Sequence, residues 1–185
     1  MQRSLDDLRS VLLDPNSQGP SPVYTVTPAN TEGWVNQTTI EPGKLGEEFT
    51  KTFGHYHTVN PQPELYRVLS GNGVLILQKK HIKEGEWTPE KVDEVLLVKA
   101  SAGDQLLINP EYGHSWTNAG SEPLVLLDNW SYGHSDEDYV FIEKHKGMAY
   151  YIVDSNGQPQ PVPNQNYKDL PQPIWATPDQ LPQSV

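Results

Sequence analysis

The apolar positions of this 185-residue chain fall into three successive patterns. Between Leu5 and Leu13 they recur at 5, 8, 12 and 13, close to helical spacing, and Asp14-Pro15 ends the run because a proline pushes the residue before it out of the helical region. A short peripheral helix is predicted there. The stretch from Asn16 to Pro22 is rich in Pro, Ser, Gly and Asn and reads as a connection, so residues 1–22 form an N-terminal helix and linker.

From Val23 to Val153 the pattern changes to short β-branched and aromatic runs separated by turn residues, with no long amphipathic helix between them. Strands are expected at 23–27, 34–40, 48–56, 65–70, 73–78, 94–99, 104–108, 114–118, 124–130 and 149–153. Ser70-Gly71-Asn72-Gly73 predicts a tight hairpin from Leu65 to Gln78, since Gly and Asn accept positive φ cheaply. The polar stretch His81 to Asp93 predicts an extended, solvent-facing hairpin loop. Such regular spacing predicts an all-β sandwich or closed barrel over 23–153.

Residues 154–185 carry seven of the 17 prolines with many Gln and Asn. This composition predicts an extended Pro-rich tail that wraps the surface or stays mobile, with Tyr167 and Trp175 as its docking aromatics.

Composition narrows the function. The length suits one compact domain, and no apolar run approaches the ~20 residues that cross a bilayer. No secretory leader is evident at the N-terminus, so a cytoplasmic protein is expected. With no cysteine, disulfides and sulfur-ligated metals are excluded, leaving His, Asp and Glu as side-chain ligands. Twenty-four acidic against 13 basic residues give a formal charge of −11, which opposes nucleic-acid binding. A small anionic substrate needs a local pocket with its own donors.

Two of the six histidines stand in Gly54-His55-Tyr56-His57. On a strand, residues i and i+2 share a face ~7 Å apart, so both imidazoles can aim at one point. Glu64 follows a turn built on Pro61 and Pro63, and His114 opens a later strand after Asn109-Pro110-Glu111-Tyr112-Gly113. Taken singly, each residue has an ordinary reading: solvated strand histidines, a surface carboxylate, a turn histidine bonded to backbone. Together, three imidazoles and a carboxylate suit Fe(II), Mn(II), Ni(II), Co(II) or Zn(II) with positions left for substrate. By its alternation with Glu64, Tyr66 faces the same pocket, or else packs as a barrel aromatic. His81 and His145 read as surface residues, and His134 stays open.

The ordered set His55, His57, Glu64, Gly71, then Gly103, Pro110, His114 and Asn118 resembles the two motifs of a cupin, a small double-stranded β-helix or jelly-roll barrel. The six residues between His57 and Glu64 exceed the general cupin spacer. They match a subgroup, the cupin-type phosphoglucose isomerases of archaea and some bacteria. The matching elements are Thr38, Pro42-Gly43-Lys44-Leu45-Gly46-Glu47-Glu48, Thr52-Phe53-Gly54-His55-Tyr56-His57, Glu64 and Tyr66. The resemblance covers about two thirds of the chain and leaves out the tail.

The resemblance implies a single cupin barrel and one divalent metal ion per chain, Fe(II) first, held by His55, His57, Glu64 and His114. It implies a sugar-phosphate substrate, contacts to it from Tyr24, Thr38, Thr52, Gly54, Tyr66 and Tyr139, and a homodimer. The implied reaction is glucose 6-phosphate to fructose 6-phosphate isomerisation with Glu64 as the catalytic carboxylate, by an enediol or a hydride-shift route. Departures are Ser115, where relatives usually carry arginine, Trp130 in place of a tyrosine, and the stretched segment Gly133-His134-Ser135-Asp136-Glu137-Asp138-Tyr139. These touch phosphate and sugar recognition rather than the ligands. The alternatives are an isomerase or epimerase of another sugar, and a non-catalytic cupin that binds metal or sugar.

Overall fold

Alternation of buried and partly exposed positions runs through Glu64–Ser70, where Glu64, Tyr66 and Val68 point inward and Leu65 and Arg67 outward. The same logic repeats along the chain in a computed structural model that describes residues 1–181. The elements are β1 (Gln2–Arg3), α1 (Leu5–Leu8), β2 (Tyr24–Pro28), β3 (Asn36–Ile40), β4 (Lys44–Leu45), β5 (Glu48–Phe49), β6 (Glu64–Ser70), β7 (Asn72–Lys83), β8 (Glu86–Ser101), β9 (Gln105–Ile108), β10 (Tyr112–Asn118) and β11 (Leu124–Asp128). Then follow α2 (Asp136–Lys144), β12 (Tyr150–Ser155), β13 (Gln158–Pro163) and β14 (Ile174–Ala176).

One sheet has the order β1-β2-β3-β11-β6-β9 and a second β10-β7-β8-β14. The chain passes from the first to the second between β6 and β7, returns for β9, crosses again for β10 and returns for β11. That alternation between two sheets is the winding of a double-stranded β-helix. Their inward side chains meet in one apolar core that includes Val68, Leu75, Leu97, Leu106, Trp116 and Leu126. A third small sheet, β13-β12-β5-β4, closes one side.

The all-β architecture and the short N-terminal helix stand as expected, and four local expectations are corrected. Gly71 does not turn a hairpin: β6 and β7 lie in different sheets, and Gly71, at φ +85°, makes the corner between them. A Cβ there would sit 2.7 Å from the Pro123 carbonyl oxygen, so the close approach of the β10–β11 connection requires glycine.

The expected hairpin from His81 to Asp93 is present, but it is paired strand almost to its tip rather than loop. β7 and β8 continue as a long ribbon closed by Glu84-Gly85, both at positive φ, with Ile82 opposite Trp87. Its tip projects into solvent, which is why polar residues dominate both faces.

A nine-residue helix, α2, interrupts the strand region after Ser135, whose side chain and that of Asp138 form a capping box. It buries Ile142, and it brings His145 to 6% exposure, where the ring donates from Nδ1 to the Phe141 carbonyl and stacks on Tyr167. His145 is therefore a core residue, not a surface one.

The tail also does more than its composition predicts. β13 pairs along the whole of β12, β14 pairs in parallel with β8, and Tyr167 is buried. Proline is tolerated in β13 because it is an edge strand. The final residues of the expected tail, 182–185, lie outside the described residues.

Candidate metal centre and cavity

The segment that carries the paired histidines is not a regular strand. β5 ends at Phe49, and beyond it Lys51 and His55 make only isolated bridges, to Thr117 and His114 of β10. His55 and His114 exchange both backbone hydrogen bonds, at 3.1 and 2.9 Å, which places the two side chains at one level of the barrel. Gly54 precedes them at φ +85°, where a Cβ would meet the Met148 sulfur at 2.9 Å. The irregular backbone still puts both imidazoles on one face, their rings parallel to within 8° and 5.2 Å apart. Glu64 enters as the first residue of β6 and points inward with Tyr66.

His55, His57, Glu64 and His114 thus come together, with one ligand atom from each lying within 4.8 Å of the others. Glu64 Oε2 stands 3.1 Å from His57 Nε2 and 3.1 Å from His114 Nε2, and His55 Nε2 stands 3.2 Å from His57 Nε2. Glu64 is 1% exposed and His114 1%. At such depth polar atoms are normally hydrogen-bonded, yet Glu64 Oε2 and His114 Nε2 lack a hydrogen bond of acceptable geometry despite their proximity. Lone pairs that converge on a shared point, instead of pairing donor to acceptor, are what a cation needs. The N3O donor set fits a borderline divalent ion.

Burial is the largest influence on His55, Glu64 and His114. It holds His55 well below the usual histidine range, with the charges of neighbouring His114, His134 and His57 pushing the same way. It lowers His114 too, against the opposing pull of Glu64. In Glu64 burial works upward, but the His114 and His57 contacts outweigh it and bring the carboxyl down to about 2. An ionised carboxylate beside neutral imidazoles is the protonation state a metal requires.

Two members of the cluster, His55 and His114, form part of the wall of a cavity of about 310 Å³. Tyr24, Thr38, Thr52, Gly54, Tyr66 and Tyr139, all singled out from the sequence, line that cavity with His55 and His114. Ser115, the departure from arginine, is buried beside it and donates to the Thr52 carbonyl. No lysine or arginine appears among the described residues of the lining. Arg3 instead stands over the rings of Phe53 and Tyr139, at 5.9 and 5.6 Å from their centroids.

With this geometry in view, comparison with known proteins is decisive. A family profile described as glucose-6-phosphate isomerase (GPI) matches residues 27–172. The chain belongs to the glucose-6-phosphate isomerase family. Within the family it is 33% identical to the glucose-6-phosphate isomerase of Thermococcus gammatolerans over 144 residues, 77% of this chain and 69% of that protein. It is 28% identical to that of Thermococcus kodakarensis over 177 residues, 90% and 87% of the two chains. A third relative, from Pyrococcus horikoshii, is 31% identical over 80% of this chain and 72% of its own.

Of the lining residues of this family member, Asp128 escapes the sequence reading, which names Trp130 only as a departure and leaves His134 open. Asp128, at the end of β11, is 5% exposed, and its Oδ1 accepts from Asn36 Nδ2 at 2.7 Å and from the Trp130 backbone N–H at 3.0 Å. Burial, and then the charge of Glu64, push its carboxyl up to about 7. Trp130 packs on His57 with ring centroids 3.6 Å apart, and His134 packs on His55 at 4.2 Å. Burial also brings His134 down to about 4. The signal for Asp128 was its place in strand alternation, two residues beyond inward Leu126.

Proposed function

We propose that this protein is a metal-dependent aldose–ketose isomerase interconverting glucose 6-phosphate and fructose 6-phosphate. The observation that carries the reading is the convergence of four ligand atoms beside a cavity, two of them, Glu64 Oε2 and His114 Nε2, without a hydrogen bond, in a chain of this family. When bound, a divalent ion held by His55, His57, Glu64 and His114 supplies an electrophile that stabilises negative charge on a substrate oxygen.

The rest falls to the chain's own residues. Isomerisation moves one hydrogen between C1 and C2 and redistributes a proton between their oxygens. Glu64, ionised and buried 3.1 Å from cavity-lining His114, is the proton-handling group in this reading, between C2 and C1 in an enediol route or at the hydroxyl in a hydride shift. The Thr38 and Thr52 hydroxyls and the Gly54 backbone bind the phosphate by hydrogen bonds, which an acidic chain needs because its net charge offers no long-range attraction. Tyr24, Tyr66 and Tyr139 complete the sugar pocket. Trp130 and the backbone of the 131–134 loop cover the cluster and limit entry of water.

The ion is read as Fe(II) first, and elemental analysis of protein purified without chelator or nickel resin tests this. The cytoplasm is the expected compartment because phosphorylated sugars are kept there. Ile174 and Trp175, 53% and 38% exposed on an edge strand, support a homodimer, which light scattering measures. A coupled assay of fructose 6-phosphate conversion, before and after chelation and re-metallation, tests the function. Activity that chelation abolishes and Fe(II) or Mn(II) restores is expected; a metal-loaded protein with no turnover overturns the proposal.

A further inference from the structure

Asp128 is a buried carboxylate with no salt bridge among the described residues, and it stands opposite Tyr66, one inward step along β6 from Glu64. Such a placement costs stability, and the fold gains no ion pair in return. Its Oδ1 is occupied by Asn36 and the Trp130 N–H, which leaves Oδ2 for the cavity that the residue lines.

Strand register gives this atom a definite address. Across β3, β11 and β6, Thr38 stands opposite Leu126, and Leu126 opposite Val68. One inward step along, Asn36 stands opposite Asp128, and Asp128 opposite Tyr66. A second step in the same direction along β6 reaches Glu64. Each step is ~7 Å. Asp128 therefore occupies the middle row of three, between the threonine row and the metal-ligand row, with Tyr66 beside it.

We infer that Asp128, braced by Asn36, is a hydroxyl-reading subsite: its Oδ2 accepts an O–H from the middle of an open-chain sugar phosphate, at C3 or C4. The inference rests on the isomerase reading, which puts the phosphate at the threonine row and C1 and C2 at the ligand row. A linear polyol phosphate spans the two ends, and only its central hydroxyls then face the middle row. A buried carboxylate discriminates sharply there, because a ligand without the hydroxyl leaves it desolvated and unpaired.

Calorimetric binding of glucitol 6-phosphate and of its 3-deoxy and 4-deoxy analogues to the metal-loaded protein tests this. The wild type is expected to bind at least one deoxy analogue about tenfold more weakly, as loss of a charge-assisted hydrogen bond implies. Asp128→Asn keeps the Oδ1 acceptor for Asn36 and Trp130 and changes only the cavity-facing atom. It should weaken glucitol 6-phosphate binding and shrink the discrimination to below about threefold, with metal content unchanged and a thermal midpoint no lower than that of the wild type.

Equal binding of all three ligands by the wild type, or full discrimination in Asp128→Asn, overturns the subsite. The wild-type comparison decides even where the variant is unstable. Discrimination without isomerase turnover sinks the isomerase reading and keeps the subsite. No binding of any polyol phosphate sinks both.

Discussion

The side-chain amide of Gln78 donates to the phenol oxygen of Tyr56, the residue that separates His55 from His57. Both side chains are buried, and the same amide nitrogen reaches Tyr167 Oη at 3.1 Å while the amide oxygen accepts the Ala149 N–H at 2.7 Å. Tyr167 in turn donates to the Gly147 carbonyl. One buried glutamine therefore ties the histidine segment to β7, to the entry of β12 and to the tail. Tyr56 also packs on Gly113, where a Cβ would come within 2.6 Å of its ring, so the ring is held against the turn that leads into His114.

Gln78→Leu removes this hub and leaves the Ala149 N–H without its partner. The expected cost is about 3 kcal/mol, since unsatisfied buried groups cost ~1–3 kcal/mol each. For a chain of this size that lowers the thermal midpoint by roughly 6–12 °C. Thermal unfolding of chelator-stripped protein measures it, and an unchanged midpoint would show that the hub contributes nothing. Metal affinity should fall as well, because Tyr56 no longer fixes the two imidazoles on either side of it.

Glu64→Gln keeps the shape of the ligand and one donor oxygen but removes the charge and the proton acceptor. Metal content after dialysis should be reduced yet measurable, and turnover should drop by about 10²-fold or more, the usual range for a lost general base. Elemental analysis and the coupled assay on the same preparation separate the two effects. Normal turnover would take Glu64 out of the chemistry.

Much of this site was legible in the sequence because its residues lie at fixed offsets around turns. His55, His57, Glu64 and His114 are found together, and six further residues singled out with them line one cavity. The reason given for the first pair was only half right: the backbone at His55 is an isolated bridge, and the shared face comes from Gly54 and the His114 pairing rather than from a regular strand. Asp128 was missed because a lone carboxylate at a strand end looks like a turn residue, and only the register with Tyr66 and Asn36 shows that it faces inward. The helix α2 was missed although Ser135 and the acidic first turn are helix-start signals, because the flanking strands dominated the pattern. The β7–β8 hairpin is legible as a hairpin but not as strand, because a ribbon that leaves the core carries no apolar alternation.

Removing the metal should destabilise the fold as well as silence it. Without the ion, buried Glu64 Oε2 and His114 Nε2 are left without a hydrogen bond, and the ion binds the folded state selectively. An ion at 100 times its dissociation constant contributes about 2.7 kcal/mol. Chelation should therefore lower the thermal midpoint by several degrees, and re-metallation should restore it. A midpoint indifferent to chelator would argue that no ion sits in the cluster.

The N-terminal segment is fastened by a buried ion pair. Glu48 is fully buried; its Oε1 meets Lys51 Nζ at 2.5 Å, and its Oε2 accepts the Leu13 N–H at 2.6 Å. Lys51 also donates to the Val11 carbonyl. Lys51→Met leaves the carboxylate buried and unpaired, at an expected cost of about 3–5 kcal/mol. Adding Glu48→Gln should recover part of that loss, because the uncompensated charge is gone. Denaturant unfolding of the two single variants and the double variant gives the coupling energy, and strict additivity would mean that the pair does not interact.

Acid should loosen the joint between α2 and the histidine loop. Asp138 in α2 accepts the Thr58 N–H and hydroxyl at 2.9 Å through Oδ1, and the Ser135 N–H at 3.1 Å through Oδ2. These bonds join the helix start to the loop directly after His57. Burial raises the Asp138 carboxyl, but its bonds to Thr58, Ser135 and Val59 outweigh burial and hold it below the usual aspartate range. A group whose folded-state pKa is depressed stabilises the fold fully above its unfolded value, near ~3.9, and loses that contribution as pH falls through the folded value. Wild-type stability from Asp138 should thus be constant from neutral pH down to about 5 and decline below about 4. Asp138→Asn removes the charge and should cost about 1–2 kcal/mol at pH 7, with a flatter acid limb. Denaturant midpoints of both proteins between pH 7 and pH 3 test this: the curves should converge as pH falls, and a constant separation would rule out Asp138 as a source of the acid sensitivity.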